Sequence, residues 1–398
     1  MPGDKLSIRD LDLDGKRVFV RVDFNVPVAE GRVVDDTRIR AALPTIQMIS
    51  ERNGRAVLAS HLGRPKGRPD PEYSLRPAAE RLASLLGRDV HFVEDCVGQE
   101  VEKAVKSLLS GELLLLENLR FHEGETKNDA RFAAKLAALA DEYVNDAFGT
   151  AHRAHASTVG VPEALGRGAA GLLIEKELQA LERVLRNPGR PLAAILGGAK
   201  VSDKIEVIEN LLSLADSILV GGGMAFTFLK AEGKAIGSSM LEEDKLELAS
   251  ELMRQARERG VEMLLPLDVR IAREIKAGTE SRVVPVDAIP EGWMGLDIGP
   301  RTVEAFQKEI SAAGTIVWNG PLGVFELDDF ADGTIEIALA VAASSAYSLI
   351  GGGDSVSAVK KAGVTNQISH ISTGGGASLE FLAGKQLPGI EVLSERMQ

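Results

Sequence analysis

The chain has 398 residues, 44% hydrophobic and 26% charged, which excludes long disordered stretches and, at about 100–200 residues per domain, argues for two or three domains. A net charge of −12 excludes a general affinity for nucleic acid or anionic membrane, but the charge is uneven: residues 1–187 carry −2 and residues 188–398 carry −10. One cysteine, Cys96, excludes an intramolecular disulfide and a Cys-based metal cluster held by this chain alone. The acidic, mixed start MPGDKLSIRDLDLDG and the lack of an apolar run of about 20 residues then place the expectation in the reducing cytoplasm.

Short apolar runs alternate with amphipathic stretches of helical period along the chain, the pattern of parallel sheet with crossover helices. The predicted strands are RVFVRV (17–22), AVLAS (56–60), ELLLLE (112–117) and the weaker EYVND (142–146), then LAAIL (192–196), SILV (217–220), EMLLPL (262–267), TIVW (315–318) and YSLI (347–350). They lack polar alternation, as strands covered on both faces do. Between the halves, Ile174, Leu178, Leu181 and Leu185 recur at helical spacing, and Asn187, Pro188 and Gly189 end the helix. The pattern predicts two doubly wound parallel-sheet α/β domains: 1–170, an interdomain helix 171–187, 188–387, and a tail 388–398 free to pack on either.

Ligands of open α/β sheets bind beyond the carboxyl ends of the strands, so the residues after each apolar run carry the information. In the first half these are Asp23 and Asn25, His61 and Arg64, Arg120 and His122, and Arg153 with His152 and His155. Arg38 is expected just before a helix whose start is marked by ALPT. Five of the six histidines and the loop arginines are thus expected on one edge. Arginine stays charged and presents a planar fork to carboxylate or phosphate oxygens. A pocket for a small, multiply anionic molecule follows.

The second-half strands end in glycines: GGAK (197–200), GGGM (221–224), GGGDS (351–355) and, after ISHIST, GGGAS (374–378). Glycine lets backbone N–H groups approach a phosphate at the start of a helix. Lys200 and Lys204, placed in a first helical turn where a cation opposes the dipole, add to a phosphate or nucleotide site. Asp354 can cap its helix or hold Mg²⁺ with substrate phosphates. Gly166, Gly168 and Gly171 match G-x-G-x-x-G but follow STVGVPEAL, which is no strand. Asp10, Asp12 and Asp14 mimic a calcium loop whose twelfth position is Arg21, and His152 with His155 lacks a third zinc ligand. The residues alone leave open a dinucleotide-dependent oxidoreductase, without its fingerprint, and a non-enzymatic sugar-phosphate binder, without an export signal.

The motifs RVDFNVP, DDTRIRAALPTI, SHLGRPKG, ENLRFHEGE, AFGTAHRAHAS, GGAKVSDKI, GGGMAFTFLK, GWMGLDIGP, WNGPLGVFE, GGGDS and STGGGASLE, in this order, closely resemble the phosphoglycerate kinase family from about Leu6 onward. The one departure is Ala156, where the family more often has serine. The resemblance implies two Rossmann-like domains, a C-terminal tail that returns to the first of them, and a cytoplasmic, monomeric, glycolytic enzyme. It would move the acyl phosphate of 1,3-bisphosphoglycerate to ADP, with Mg²⁺, by in-line transfer, domain closure and no general base. It implies that Asp23, Asn25, Arg38, His61, Arg64, Arg120 and Arg153 hold the triose. Lys200, Lys204, Gly221, Gly295, Glu326, Gly352, Gly353, Asp354 and Ser355 would hold the nucleotide, with Glu326 on the ribose and Asp354 on the metal. Arg38, Lys200, Gly375 and Gly376 would stabilise the moving phosphoryl group.

Overall fold

The computed structural model describes residues 4–396. Residues 1–3 and 397–398, the extremes of the first domain and of the tail read from the sequence, lie outside the described residues. The described chain forms two compact units: residues up to Gln179 together with those from Gln386 on, and Ala180–Lys385.

The first unit contains β1 (Arg17–Val22), a short hairpin of β2 (Val28–Ala29) and β3 (Arg32–Val33), β4 (Arg55–Ala59), β5 (His91–Val93), β6 (Leu113–Leu116), β7 (Glu142–Asp146) and β8 (Ala169–Ala170). Outside the hairpin, these strands form one parallel sheet in the order β5-β6-β4-β1-β7-β8. Val18, Phe19 and Val20 are buried without alternation, because helices cover both faces. Ile39, Ala42, Ile46 and Ile49 of helix Thr37–Glu51 share one core with Val18, Val20, Leu113 and Leu115. Burying each large aliphatic side chain contributes about 1.5–3 kcal/mol.

Two expectations are corrected in this unit. Helix Thr37–Glu51 begins well before ALPT, so Arg38 lies in its first turn and Pro44 inside it. The start is set by Asp35 Oδ1, which accepts the Thr37 N–H at 2.9 Å; Pro44 removes one donor without stopping the helix. His91 opens β5, at the opposite edge from the other four histidines of this half, and faces Glu112 at 3.5 Å. The three-residue β5 and two-residue β8 are too short to read by periodicity.

The second unit holds β9 (Leu192–Leu196), β10 (Ser217–Val220), β11 (Glu262–Leu264), β12 (Asp268–Ala272), β13 (Ser281–Pro285), β14 (Met294–Ile298), β15 (Thr315–Asn319), β16 (Tyr347–Gly351) and β17 (His370–Ile371). Its parallel sheet runs β11-β10-β9-β15-β16-β17, and β13-β12-β14 form a separate antiparallel sheet over Phe226, Ile271 and Trp293. Sequence reading missed this second sheet, whose β13 is short and mostly exposed. No helix of the described residues is long and apolar enough to cross a membrane.

Helix Leu172–Arg186 carries the chain from one unit to the next. Asp146 Oδ1, at the end of β7, accepts the N–H groups of Leu173 (2.8 Å) and Ile174 (3.4 Å), and Thr45 Oγ1 accepts that of Leu172 (2.9 Å). At Gly171 a Cβ would lie 2.2 Å from Asp146 Oδ1, so only glycine admits this cap. Residues 386–396 complete the first unit: Gly389 N–H donates to Ala151 O (2.8 Å), Asn145 Nδ2 to Gly389 O (2.9 Å), and Lys5 Nζ to Leu393 O (3.0 Å).

Burial pushes the Asp146 carboxyl up to about 7, against the opposing pull of the Thr45 hydroxyl and the helix N–H groups. A carboxyl with a raised native pKa makes the fold bind more protons than the unfolded chain, so its contribution is largest at low pH and is lost as pH rises through about 7. Asp146→Asn, which keeps the accepting oxygen, is expected to raise the thermal midpoint relative to the parent at pH 8, with the gain vanishing below pH ~4. Scanning calorimetry across that range checks it.

Candidate active site

The carboxyl edge of the first sheet collects the residues that follow β1, β4, β6 and β7. Arg38 Nη1 donates to Asp23 Oδ2 (2.9 Å) and to Asn25 O (3.3 Å), and Asn25 Oδ1 accepts the Gly63 N–H (2.9 Å). Arg120 Nη1 donates to Gly63 O (2.7 Å), while its buried Nε has no partner among the described residues. Burial, then the charges of Arg21 and Arg153, lower the Arg120 guanidinium to about 10. Burial first, then Arg21, Arg120 and Arg38, hold His61 well below the usual histidine range. His155 is lowered to about 4 by burial, Arg21 and Arg120. Both rings are therefore neutral at pH 7. Arg64 is exposed in the loop after β4, and Arg153, also exposed, donates from Nε to His152 Nε2 (3.1 Å). An edge of crowded arginines and neutral rings, with an orphaned guanidinium N–H, can receive several negative charges.

His122 stands apart. Its Nε2 lies 2.7 Å from Asp95 Oδ1, and its ring stacks on Phe132. Asp95, Cys96 and His122 bring potential ligand atoms within 4.8 Å of one another. Asp95 Oδ1 is already engaged by the Cys96 N–H (2.6 Å) and His122, and burial raises the Cys96 thiol, so this is a closed turn. A roomier cavity of about 660 Å³ lies beside the β2–β3 hairpin, but there Asp36 is ion-paired with Arg40 (2.9 Å) and Arg81 (2.6 Å), so its charge is internally matched.

In the second unit, the loops after β9, β10, β15 and β16 meet around a cavity of about 430 Å³. Gly198, Gly222, Gly223 and Gly295 give it a backbone lining; Phe226, Met240, Leu322 and Val324 give it an apolar one; Glu326 and Asp354 stand at it as exposed carboxylates. Gly222 has φ +67°, and a Cβ there would lie 2.7 Å from both Gly198 N and Gly198 O. A Cβ at Gly295 would lie 2.0 Å from Phe226 Cζ. Gly221 is buried, packed against Leu322, and its neighbours Gly222 and Gly223 line the cavity instead.

Lys204 is buried and donates from Nζ to Asn319 Oδ1 (2.5 Å), while Asn319 Nδ2 donates to Gly351 O (2.9 Å). Its partner is a neutral amide, so the ammonium charge stays available to a ligand. Burial lowers its pKa; Asp203 and Asp354 oppose that. The expectation of two lysines in a first helical turn is corrected: Lys204 is the cap before helix Ile205–Leu211, and Lys200 is exposed in the preceding turns. Gly353, Asp354 and Ser355 open helix Gly353–Lys361 after Gly352, and Ser355 Oγ accepts the Gly320 N–H (2.6 Å), tying two loops together. Gly375, at φ +51°, and Gly376 open helix Gly376–Leu382.

Residues 8–385 match the family model described as phosphoglycerate kinase. The chain belongs to the phosphoglycerate kinase family. It is 59% identical over 392 residues to the phosphoglycerate kinase of Moorella thermoacetica, covering 98% of this chain and 100% of that protein. It is also 59% identical over 393 residues to that of Rubrobacter xylanophilus, covering 99% of each. The solved phosphoglycerate kinase of Coxiella burnetii superposes with a TM-score of 0.89 at 44% identity, covering 98% of each chain. That of Pyrococcus horikoshii superposes with a TM-score of 0.84 at 35% identity and the same coverage. Family membership carries the reaction, a kinase step of glycolysis that transfers phosphate between 1,3-bisphosphoglycerate and ADP.

Two residues of these sites escaped sequence reading. Arg21 lies beneath the arginine edge, and its signal was one charge inside an otherwise apolar strand, RVFVRV. Asn319 orients Lys204; WNGP was visible as a motif, but nothing in it tied the amide to a lysine 115 residues away.

Gly222→Ala is expected to raise the nucleotide KM at least about tenfold, the factor that ~1.4 kcal/mol of lost contact gives. The triose KM should stay near the parent value. Steady-state kinetics with each substrate varied checks the split.

Proposed function

We propose that the first unit holds the triose through Asp23, Asn25, Arg38, His61, Arg64, Arg120 and Arg153, and that the second holds ADP or ATP in the glycine-lined cavity. The observation that carries this reading is the pairing of two dissimilar anion sites, one of arginines and neutral histidines, the other of backbone glycines with a buried lysine on a neutral partner. In the nucleotide site, Gly222, Gly223 and Gly295 admit the ligand close to the backbone, Lys204 meets phosphates, and Glu326 meets the ribose. Gly352, Gly353 and Ser355 shape the loop after β16, and Gly221 supports it from behind.

The donor set fits Mg²⁺. Asp354 is an exposed carboxylate at the cavity, and one carboxylate plus phosphate oxygens is a common way to hold this ion. When bound, Mg²⁺ supplies neutralisation of phosphate charge. The acceptor in either direction is already an anion, a carboxylate or a terminal phosphate, so no general base is needed and transfer is in line. Arg38 and Lys200, with the helix start at Gly375 and Gly376, stabilise charge on the moving group, and Asp23 holds the Arg38 guanidinium in place. The family resemblance extends the reading to a monomeric cytoplasmic enzyme with no nucleic-acid partner, in keeping with the net charge of −12.

Coupled measurement of ATP formation from 1,3-bisphosphoglycerate tests the assignment. Arg38→Ala and Lys200→Ala are each expected to lower kcat by about 10²–10³, the usual worth of one such donor, with smaller effects on KM; a kcat near the parent's would remove that residue from the role. Since the ligands belong to separate compact units, transfer also requires a closure that excludes water, with helix Leu172–Arg186 as the joining element. Small-angle scattering with both substrates should give a smaller radius of gyration than with either alone.

A further inference from the structure

Among the buried side chains of β1 stands one charge. Arg21 is 0% exposed, so it cannot touch a ligand in the carboxyl-edge pocket, yet each of its three guanidinium nitrogens has a partner. Nε donates to Ser157 Oγ (2.7 Å), Nη1 to the Val22 carbonyl, and Nη2 lies 3.1 Å from His61 Nδ1. Arginine has five donors and no acceptor, and it does not deprotonate in proteins. Nδ1 of His61 must then be the accepting nitrogen, which leaves the ring proton on Nε2.

The cation is itself held rigidly. Glu125 Oε1 lies 4.0 Å from Arg21 Nη2, both side chains wholly buried. Glu125 accepts the Ser157 hydroxyl (2.6 Å) and the Ser157 N–H (3.0 Å), and Tyr143 donates its hydroxyl to the Ser157 carbonyl (2.8 Å). Ser157 thus joins the two ions from one position, and Tyr143 fixes its backbone. The groups that face His61 are Arg21, Arg120, Arg38 and His155. Three are permanent cations that oppose an imidazolium and one is a neutral ring; the carboxylates of the cluster, Glu125 and Asp23, are set against Arg21 and Arg38 respectively.

We propose that Arg21 is a positioning residue of the triose site: by occupying Nδ1 it locks His61 into one tautomer and makes Nε2–H a fixed donor to an oxygen of the triose ligand. This rests on the reading that His61 binds the triose. A ring free to switch tautomers would present an accepting nitrogen to an anion part of the time; the Arg21 contact removes that state. The role needs the guanidinium's direction, not only its charge.

Nitrogen-15 NMR of the full chain labelled at histidine tests the lock directly. His61 is expected as the neutral Nε2–H tautomer, unchanged between about pH 5.5 and 8.5. An Nδ1–H tautomer, or titration within that range, would overturn the proposal. Removing Arg21 alone strands a buried carboxylate, so kinetics use R21M combined with E125Q, which deletes both charges. This variant is expected to raise the triose KM about tenfold, the worth of one hydrogen bond to a charged group, with the nucleotide KM unchanged. R21K, which keeps a cationic donor, should recover part of the loss. If the double variant does not fold, the NMR result on the parent still decides. His61→Gln separates the two readings: an unchanged triose KM there defeats the assignment of His61 to the triose. A raised KM there with an unaltered R21M/E125Q variant defeats the role of Arg21 alone.

Discussion

A guanidinium buried in the central strand of a sheet is costly, and its compensation organises the first unit. Removing a cation from water costs several kcal/mol even after relaxation, and a partner at 4.0 Å repays that only when the remaining donors are also satisfied. Arg21 finds a partner for each guanidinium nitrogen, and a counter-ion, on elements far apart in sequence: its own strand, the loop after β4 that carries His61, the short helix that carries Glu125, and the segment of Ser157. Each brings a polar group under the pocket. The floor of the arginine-lined edge is therefore set by the neutralisation of one buried charge, and the arginines above it stand over a surface that cannot rearrange cheaply.

The two units solve the same electrostatic problem by different chemistry. In the first, permanent cations crowd one edge, where burial and then the charges of Arg21 and Arg153 lower Arg120, an arrangement suited to a polyanion. In the second, which carries most of the negative charge, side-chain cations are few, and glycines expose N–H groups where loops touch backbone to backbone. Lys204 supplies a concentrated charge because it leans on an amide rather than a carboxylate. A triose with one phosphate and a carboxyl group suits discrete arginine forks; a chain of nucleotide phosphates suits a continuous backbone lining.

Much of this was legible in the sequence because parallel strands buried on both faces read as uninterrupted apolar runs. RVFVRV, LAAIL and SILV coincide with β1, β9 and β10 residue for residue. The strand ends then pointed to the loops that carry the sites. What was not legible depends on contacts between distant segments. Proline usually marks a helix start, so ALPT drew the boundary past Arg38, whereas Asp35 sets it earlier. The five-residue, mostly exposed β13, SRVVP, gives no apolar period to find. His91 and His122 looked like members of one cluster, but strand direction puts one at the opposite edge and Asp95 claims the other. No local pattern reveals that Arg21 faces a histidine 40 residues later.

The segment from Gln386 on makes the first unit discontinuous in the chain, with all of Ala180–Lys385 inserted between its parts. During synthesis the sheet of the first unit emerges early but lacks the strap formed by Gly389, Leu393 and their partners Ala151 and Lys5. The second unit, contiguous and synthesised in between, has all its contacts before that strap exists. Order of synthesis and order of completion are therefore reversed: the unit made first is the one finished last, and it is closed only by a segment that must emerge after its neighbour has been made.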